Sequence, residues 1–269
     1  MQKTILITGS TDGIGLETAK ILVAEGHHIL LHGRNPAKLQ ATRELLSSLQ
    51  GSGQLECFEA DFSSMPDVVA LAKMVQEHHP RLDVIINNAG ILKSSNPWTA
   101  DGFDIRFAVN TFAPYLLSRH LLPLLDRSGR IVNVSSAGQQ PVDIKALAGE
   151  TKISEDYPAY AQSKLALNMW SMQLAGELGP EGPAVIAVNP GSLLASKMVK
   201  EGFGIDGADL SIGANILVRA ALSDEFAGAS GSYYDNDSRQ FAPPHADALD
   251  PEKSLRVVGA MEVVLADFL

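Results

Sequence analysis

The sequence predicts an α/β fold in which a single, mostly parallel sheet is wound on both faces by helices. Short β-rich runs recur at 4–8, 28–32, 55–59, 84–86, 130–134 and 184–188, with helix-length segments between them. Those segments carry a helical period, as in Leu16, Ala19, Leu22 and Val23, or in Val68, Leu71, Ala72 and Val75 within 67–77. No linker, internal repeat or low-complexity block interrupts the alternation, so residues 1–269 read as one domain.

Each strand end carries a distinct signal. The first opens into Gly9, Ser10, Thr11, Asp12, Gly13, Ile14 and Gly15 at the entrance to a helix. Glycines there let the backbone turn sharply and approach a pyrophosphate, while the helix start presents unpaired N–H groups, so the loop is a dinucleotide cradle in outline. The second strand runs out at His32, Gly33, Arg34 and Asn35. A site for NAD places a carboxylate at this point, whereas Gly33 leaves space and Arg34 offers a planar cation suited to a 2′-phosphate. Asp12 counts against a phosphate. The third strand leads to Asp61 and Phe62, the fourth to Asn87, Asn88, Ala89 and Gly90, the fifth to Ser135 and Ser136, and the sixth to Pro190 and Gly191. Asn110 is a polar residue in an apolar helical stretch, between Val109 and Phe112. Tyr160 and Lys164, four residues apart, share one helix face. A free tyrosine titrates near ~10, so a phenolate near neutrality needs ~4 kcal/mol of preferential stabilisation, part of which a neighbouring ammonium supplies. Tyr115 has Arg119 at the same spacing, but a guanidinium is too basic to relay protons.

The Gly-x-x-x-Gly-x-Gly loop, Asn87-Asn88-Ala89-Gly90, Ser136, Tyr160-x-x-x-Lys164 and Pro190-Gly191, in this order, resemble the short-chain dehydrogenase/reductase family across almost the whole chain. The resemblance implies a Rossmann-type doubly wound sheet, NAD or NADP as cofactor, and hydride transfer between a carbonyl (ketone or aldehyde) and an alcohol. It implies Asn110, Ser136, Tyr160 and Lys164 as the catalytic set. Tyr160 would exchange the proton, Ser136 rather than Ser135 would polarise the substrate oxygen, Lys164 would tune the tyrosine and hold the nicotinamide ribose, and Asn110 would hold a proton-carrying water. Gly9 to Gly15, Arg34, Asp61, Phe62, Asn88, Ala89, Gly90, Tyr160, Lys164, Pro190 and Gly191 would bind the cofactor, with Asn87 supporting its strand. Ser192 or Ser196 would approach the nicotinamide. With Arg34 in place, NADP is the expected preference. The family commonly associates through the tyrosine-bearing helix, which implies a homodimer or homotetramer.

The 24 residues from Ser136 to Tyr160 are about twice the family's commonest spacing, so 139–158 is expected to wall the active site as a lid or a subunit contact, together with 192–210. This spacing and Gly231-Ser232-Tyr233-Tyr234 resemble the retinol dehydrogenase and protochlorophyllide reductase-like branch. The membrane anchor frequent in that branch is not apparent. Two rival readings share the motifs: a sugar-nucleotide epimerase or dehydratase, which usually has a longer C-terminal substrate region, and a non-catalytic nucleotide-sensing or scaffold protein of the same fold.

With 269 residues and a formal charge of −10, the chain should repel phosphate backbones and anionic lipid, which argues against nucleic-acid and membrane partners. The single cysteine, Cys57, cannot close an intrachain disulfide, and no Cys/His spacing suggests a metal. No targeting segment or spanning run is visible, so a cytoplasmic protein is expected. The seven histidines fit no nucleophile signature and are read as surface or loop residues. Trp98, Trp170, Leu165, Leu167, Met169 and Met172 are expected in a core or a subunit contact.

Overall fold

Each β-rich run forms a strand: β1 (Thr4–Ile7), β2 (His28–Gly33), β3 (Leu55–Glu59), β4 (Leu82–Asn87), β5 (Leu125–Val134) and β6 (Ala184–Asn189). The structure is a computed structural model describing residues 1–49, 51 and 53–269. Two further strands, β7 (Tyr233–Asp235) and β8 (Gln240–Phe241), are too short for a sequence period to reveal. Among the described residues the sheet has the order β3-β2-β1-β4-β5-β6-β7-β8 and is parallel except for the β7–β8 pair. The order reverses between β1 and β4, and a ligand crevice opens at such a reversal beyond the carboxyl ends of the strands.

Side chains alternate across the sheet, and both faces are dry. Leu6, Leu30, Ile85, Ile131 and Val185 pack under α3 (Met65–His78), α5 (Ala113–Leu121), α7 (Asp156–Leu178) and α10 (Pro251–Val264). Ile5, Ile7, Leu31, Ile86, Val132 and Ile186 face α1 (Gly13–Ala24), α2 (Pro36–Ser47) and α9 (Leu210–Leu222). Burial on both sides is why the strands read as continuous Val/Ile/Leu runs. Local chemistry starts the helices: the Asp12, Asn35 and Ser64 side chains accept backbone N–H groups at the N-termini of α1, α2 and α3.

One expectation changes here. His27, His32 and His79 are buried, so they are not surface residues. Within 139–158, Asp143 caps the short helix α6 (Ile144–Leu147), and Ala146 and Leu147 enter the main core. Helix α7 is largely buried from Ala159 to Ala175, and α10 packs against it within the same chain. Trp170 and Met169 are core residues as expected. Among the described residues, no helix is long and apolar enough to cross a membrane.

Candidate active site

A cavity of about 870 Å³ opens at the carboxyl ends of β1, β2, β4, β5 and β6. Its nucleotide end is built from backbone held at close quarters. Gly9 and Gly13 have φ of 65° and 53°, in the left-handed region, and a Cβ on Gly9 would stand 2.9 Å from Ala89 Cα. A Cβ on Gly15 would collide with the Asn88 amide and the Gly9 carbonyl. The Asn88 Nδ2 donates to the carbonyls of Thr8 (2.9 Å) and Gly9 (3.1 Å), while the N–H groups of Asn88 and Ala89 donate to Thr8 Oγ1, both at 3.0 Å. The β4 end thereby fixes the glycine loop. Gly9, Thr11, Asp12, Gly13, Ile14, Arg34, Asp61, Phe62, Asn88, Ala89, Gly90, Pro190 and Gly191 line the cavity. Ser10 and Gly15 do not; they shape the loop from beneath.

His32 organises this end, a role that no motif of the sequence marks. Its Nδ1 accepts the Gly9 N–H (3.2 Å), which leaves Nε2–H to donate to the Ala60 carbonyl (3.1 Å). Ser10 Oγ donates to the His32 carbonyl (3.2 Å) and accepts the His32 N–H (3.0 Å). The ring stacks on Phe62 at 4.2 Å. Burial holds the imidazole neutral, pushing its pKa down to about 4. Gly33 works differently from expectation: a Cβ there would meet Thr11 Cγ2 at 2.7 Å, so its space is filled by threonine and not reserved for phosphate. Arg34 and Lys38 are both exposed at the cavity rim, the lysine one turn into α2 and unforeseen from the sequence. Asp12 spends one carboxylate oxygen on the Gly13 N–H (2.8 Å), and Asp61 Oδ1 accepts from the Ser63 N–H (2.9 Å) and Oγ (2.8 Å). Asn87, below the cavity floor, donates to Ser118 Oγ (3.0 Å) and Asn133 Oδ1 (2.7 Å), tying β4 to α5 and β5.

The other end collects Ser135, Ser136, Tyr157, Tyr160 and Lys164 on the same cavity. Tyr160 is half-buried; desolvation pushes its pKa up, and a hydrogen bond with Ser136 works against that rise. That bond separates the two serines, since Ser135 Oγ is buried without a hydrogen-bond partner. Lys164 is 3% exposed; its Nζ donates to the Val134 carbonyl (2.7 Å) and lies 5.8 Å from the centre of the Tyr160 ring. Burial lowers its pKa to about 7. Tyr157 is the residue of 139–158 that reaches the cavity wall, with its ring 6.5 Å from that of Tyr160.

Asn110 sits in a π-helical turn, Ala108–Phe112, between α4 (Ile105–Phe107) and α5. Pro114 has no N–H to give the Asn110 carbonyl, four residues back, and this accounts for the wider turn. The Asn110 amide bonds both polar atoms of the Ile91 backbone, at 2.8 and 2.9 Å, and donates to Ser163 Oγ (2.9 Å). Ser163 in turn donates to the Tyr160 carbonyl at 2.6 Å. Asn110 thus lies behind the wall and fastens α7 to the strand end after β4.

Beyond β6, residues of 192–210 do form a wall, through α8 (Lys197–Phe203) and the loop before it. The Asp237 carboxylate accepts the Ser192 N–H (2.8 Å), the Ser192 hydroxyl (2.5 Å) and the Asn189 amide (2.9 Å). Ser196 instead caps α8, accepting the Val199 N–H at 3.3 Å.

Residues 3–203 match the family model described as short chain dehydrogenase. Among curated proteins, retinol dehydrogenase 13 of Homo sapiens is 29% identical over 265 residues, covering 91% of this chain and 80% of its own. Short-chain dehydrogenase/reductase prx1 of Penicillium rubens is 30% identical, with 94% of this chain and 82% of its own covered. Among solved structures, the Pseudomonas aeruginosa RhlG/NADP active-site complex superimposes with a TM-score of 0.70 at 25% identity, over 87% of this chain and 94% of that one.

Proposed function

Because the chain belongs to the short-chain dehydrogenase/reductase family, within its retinol dehydrogenase-like branch, we propose that this NAD(P)-dependent carbonyl/alcohol oxidoreductase prefers NADP(H) and uses Tyr160 to exchange the proton on the substrate oxygen. A bound nicotinamide dinucleotide supplies or accepts the hydride, and the glycine cradle, in which an added Cβ would strike Ala89, fits its pyrophosphate.

The observation that carries the reading is the convergence of Ser136, Tyr160 and Lys164 on one cavity whose far end is that cradle. In the reducing direction Tyr160 donates its phenolic proton to the carbonyl oxygen while Ser136 Oγ donates a second hydrogen bond to it. Lys164 holds the ribose hydroxyls and recharges the tyrosine. Its ammonium faces the Val134 carbonyl and the tyrosine ring, and burial favours the neutral phenol, so a reactive phenolate forms only once further positive charge fills the cavity. Asn110 is a positioning residue, holding Tyr160 through Ser163.

Arg34 and Lys38 at the rim support the NADP preference, as does the absence of a carboxylate at the end of β2. Asp12 opposes it less than its charge suggests, since it caps the Gly13 N–H. We read residues 1–269 as one catalytic domain. An oligomer would use a surface other than that of α7, which α10 covers. Titration with NADP⁺ and NAD⁺ tests the preference: Arg34→Ala should weaken NADP⁺ selectively, and equal wild-type affinities would refute it. Tyr160→Phe should keep cofactor affinity and lower turnover of ketones and aldehydes by ~10²–10⁴-fold. Wild-type turnover in that variant would remove Tyr160 from the chemistry.

A further inference from the structure

At the end of the sheet opposite the cavity, three side chains remote in sequence converge. His28 is the first residue of β2, Glu56 lies in β3, and His79 follows α3. In the parallel β2–β3 ladder Leu30 stands opposite Glu56, and His28, two residues earlier, projects from the same face. Leu30 packs into the core that α3 covers, so the C-terminus of α3 delivers His79 to that face. Cys57 points the other way, with its Sγ 4.0 Å from the Leu39 carbonyl in α2.

The contacts are close. His28 Nε2 is 2.8 Å from Glu56 Oε1, and His79 Nε2 is 3.2 Å from Glu56 Oε2. One ligand atom from each residue falls within 4.8 Å of the others. The histidine side chains are 12% and 10% exposed against 38% for the glutamate, so solvent reaches the group past Glu56. Despite its 2.8 Å approach, the buried His28 Nε2 makes no well-formed hydrogen bond.

We propose that His28, Glu56 and His79 bind a divalent transition-metal ion of the zinc class. Two imidazole nitrogens and a carboxylate oxygen are the donor set such an ion takes, with a fourth position left for water. Bonds of ~2.0–2.2 Å in a tetrahedron place ligand atoms roughly 3.3 Å apart, a spacing small side-chain rotations reach from the present one. Without an ion, His79 with its proton on Nε2 donates to the carboxylate at 3.2 Å, and the ion would take the place of that proton. Five steps along β2 of ~3.3 Å each separate His28 from Gly33, so the ion lies far from the reaction and acts as a staple joining β2, β3 and α3.

The test uses full-length protein without a histidine tag, stripped with chelator and titrated with Co²⁺ and Zn²⁺. The wild type should bind one equivalent, with a Co²⁺ visible absorption band that Zn²⁺ displaces and a melting temperature raised by saturating Zn²⁺. Glu56→Gln and His79→Asn should each lower affinity at least tenfold while dinucleotide binding is unchanged. Absence of stoichiometric binding by the wild type would overturn the proposal, and so would equal binding by variants whose circular dichroism matches it.

Discussion

His32 shows how much one side chain can hold in place. A base whose folded pKa lies near 4, against 6.5 in the unfolded chain, binds fewer protons folded than unfolded between those values. Its contribution is fully present above about pH 6.5 and is lost as pH falls towards 4. Unfolding free energy should drop by about 2 kcal/mol from pH 7 to 5 on this account alone, and denaturant melts should show that component missing in His32→Gln. An identical pH slope in the variant would show that the imidazole is not held neutral. Tyr160 and Lys164 could be singled out in the sequence because they stand in their place in an ordered set of motifs resembling the family's, whereas their four-residue spacing alone is that of many surface pairs. His32 could not, because its partners, Gly9 and Ala60, come from the ends of two other strands. Lys38 and Ser163 escaped for the same reason, since their meaning lies in what a neighbouring element brings to them.

Elements divide along similar lines. Six strands announced themselves through short runs of apolar residues between helix-length segments. β7 did not, although it pairs with β6 and leads into Asp237, which holds the loop after β6. The π-turn at Asn110 was hidden behind an unbroken apolar period, and only Pro114 marked it. The extra length between Ser136 and Tyr160 was visible, but its destination was not: Ala146 and Leu147 found a place in the core beside α10, while Tyr157 reaches the cavity wall. Asp237 gives the element-scale prediction. Asp237→Ala deprives Ser192 and Asn189 of three hydrogen bonds, and dinucleotide affinity measured by calorimetry should fall about tenfold, the equivalent of one or two net hydrogen bonds. Unchanged affinity would mean that the loop after β6 is held by α8 alone.

For the whole molecule, the two dry faces of the sheet and the open cavity at its carboxyl edge predict an uneven response to cofactor. On adding NADP⁺, amide hydrogen exchange should slow across 192–210 and in the glycine loop, while 139–158 should change little outside Tyr157. Equal slowing throughout 139–158 would restore to that segment the role of a lid. The wound sheet was readable from composition and period because burial on both sides imposes one apolar pattern on every central strand, whereas closure of the site depends on contacts between distant parts of the chain. The hold of Asp237 on Ser192 sets an order of assembly. Synthesis runs from the N-terminus, so the glycine loop and β1, β2 and β4 are all made before the aspartate that secures the opposite wall. A nascent chain halted after residue 203, where the family match ends, already carries Tyr160 and Lys164 but lacks the clasp on the loop after β6. The contact that fastens the loop after β6 is therefore among the last that translation makes possible, completed only when the wall it secures has long been synthesised.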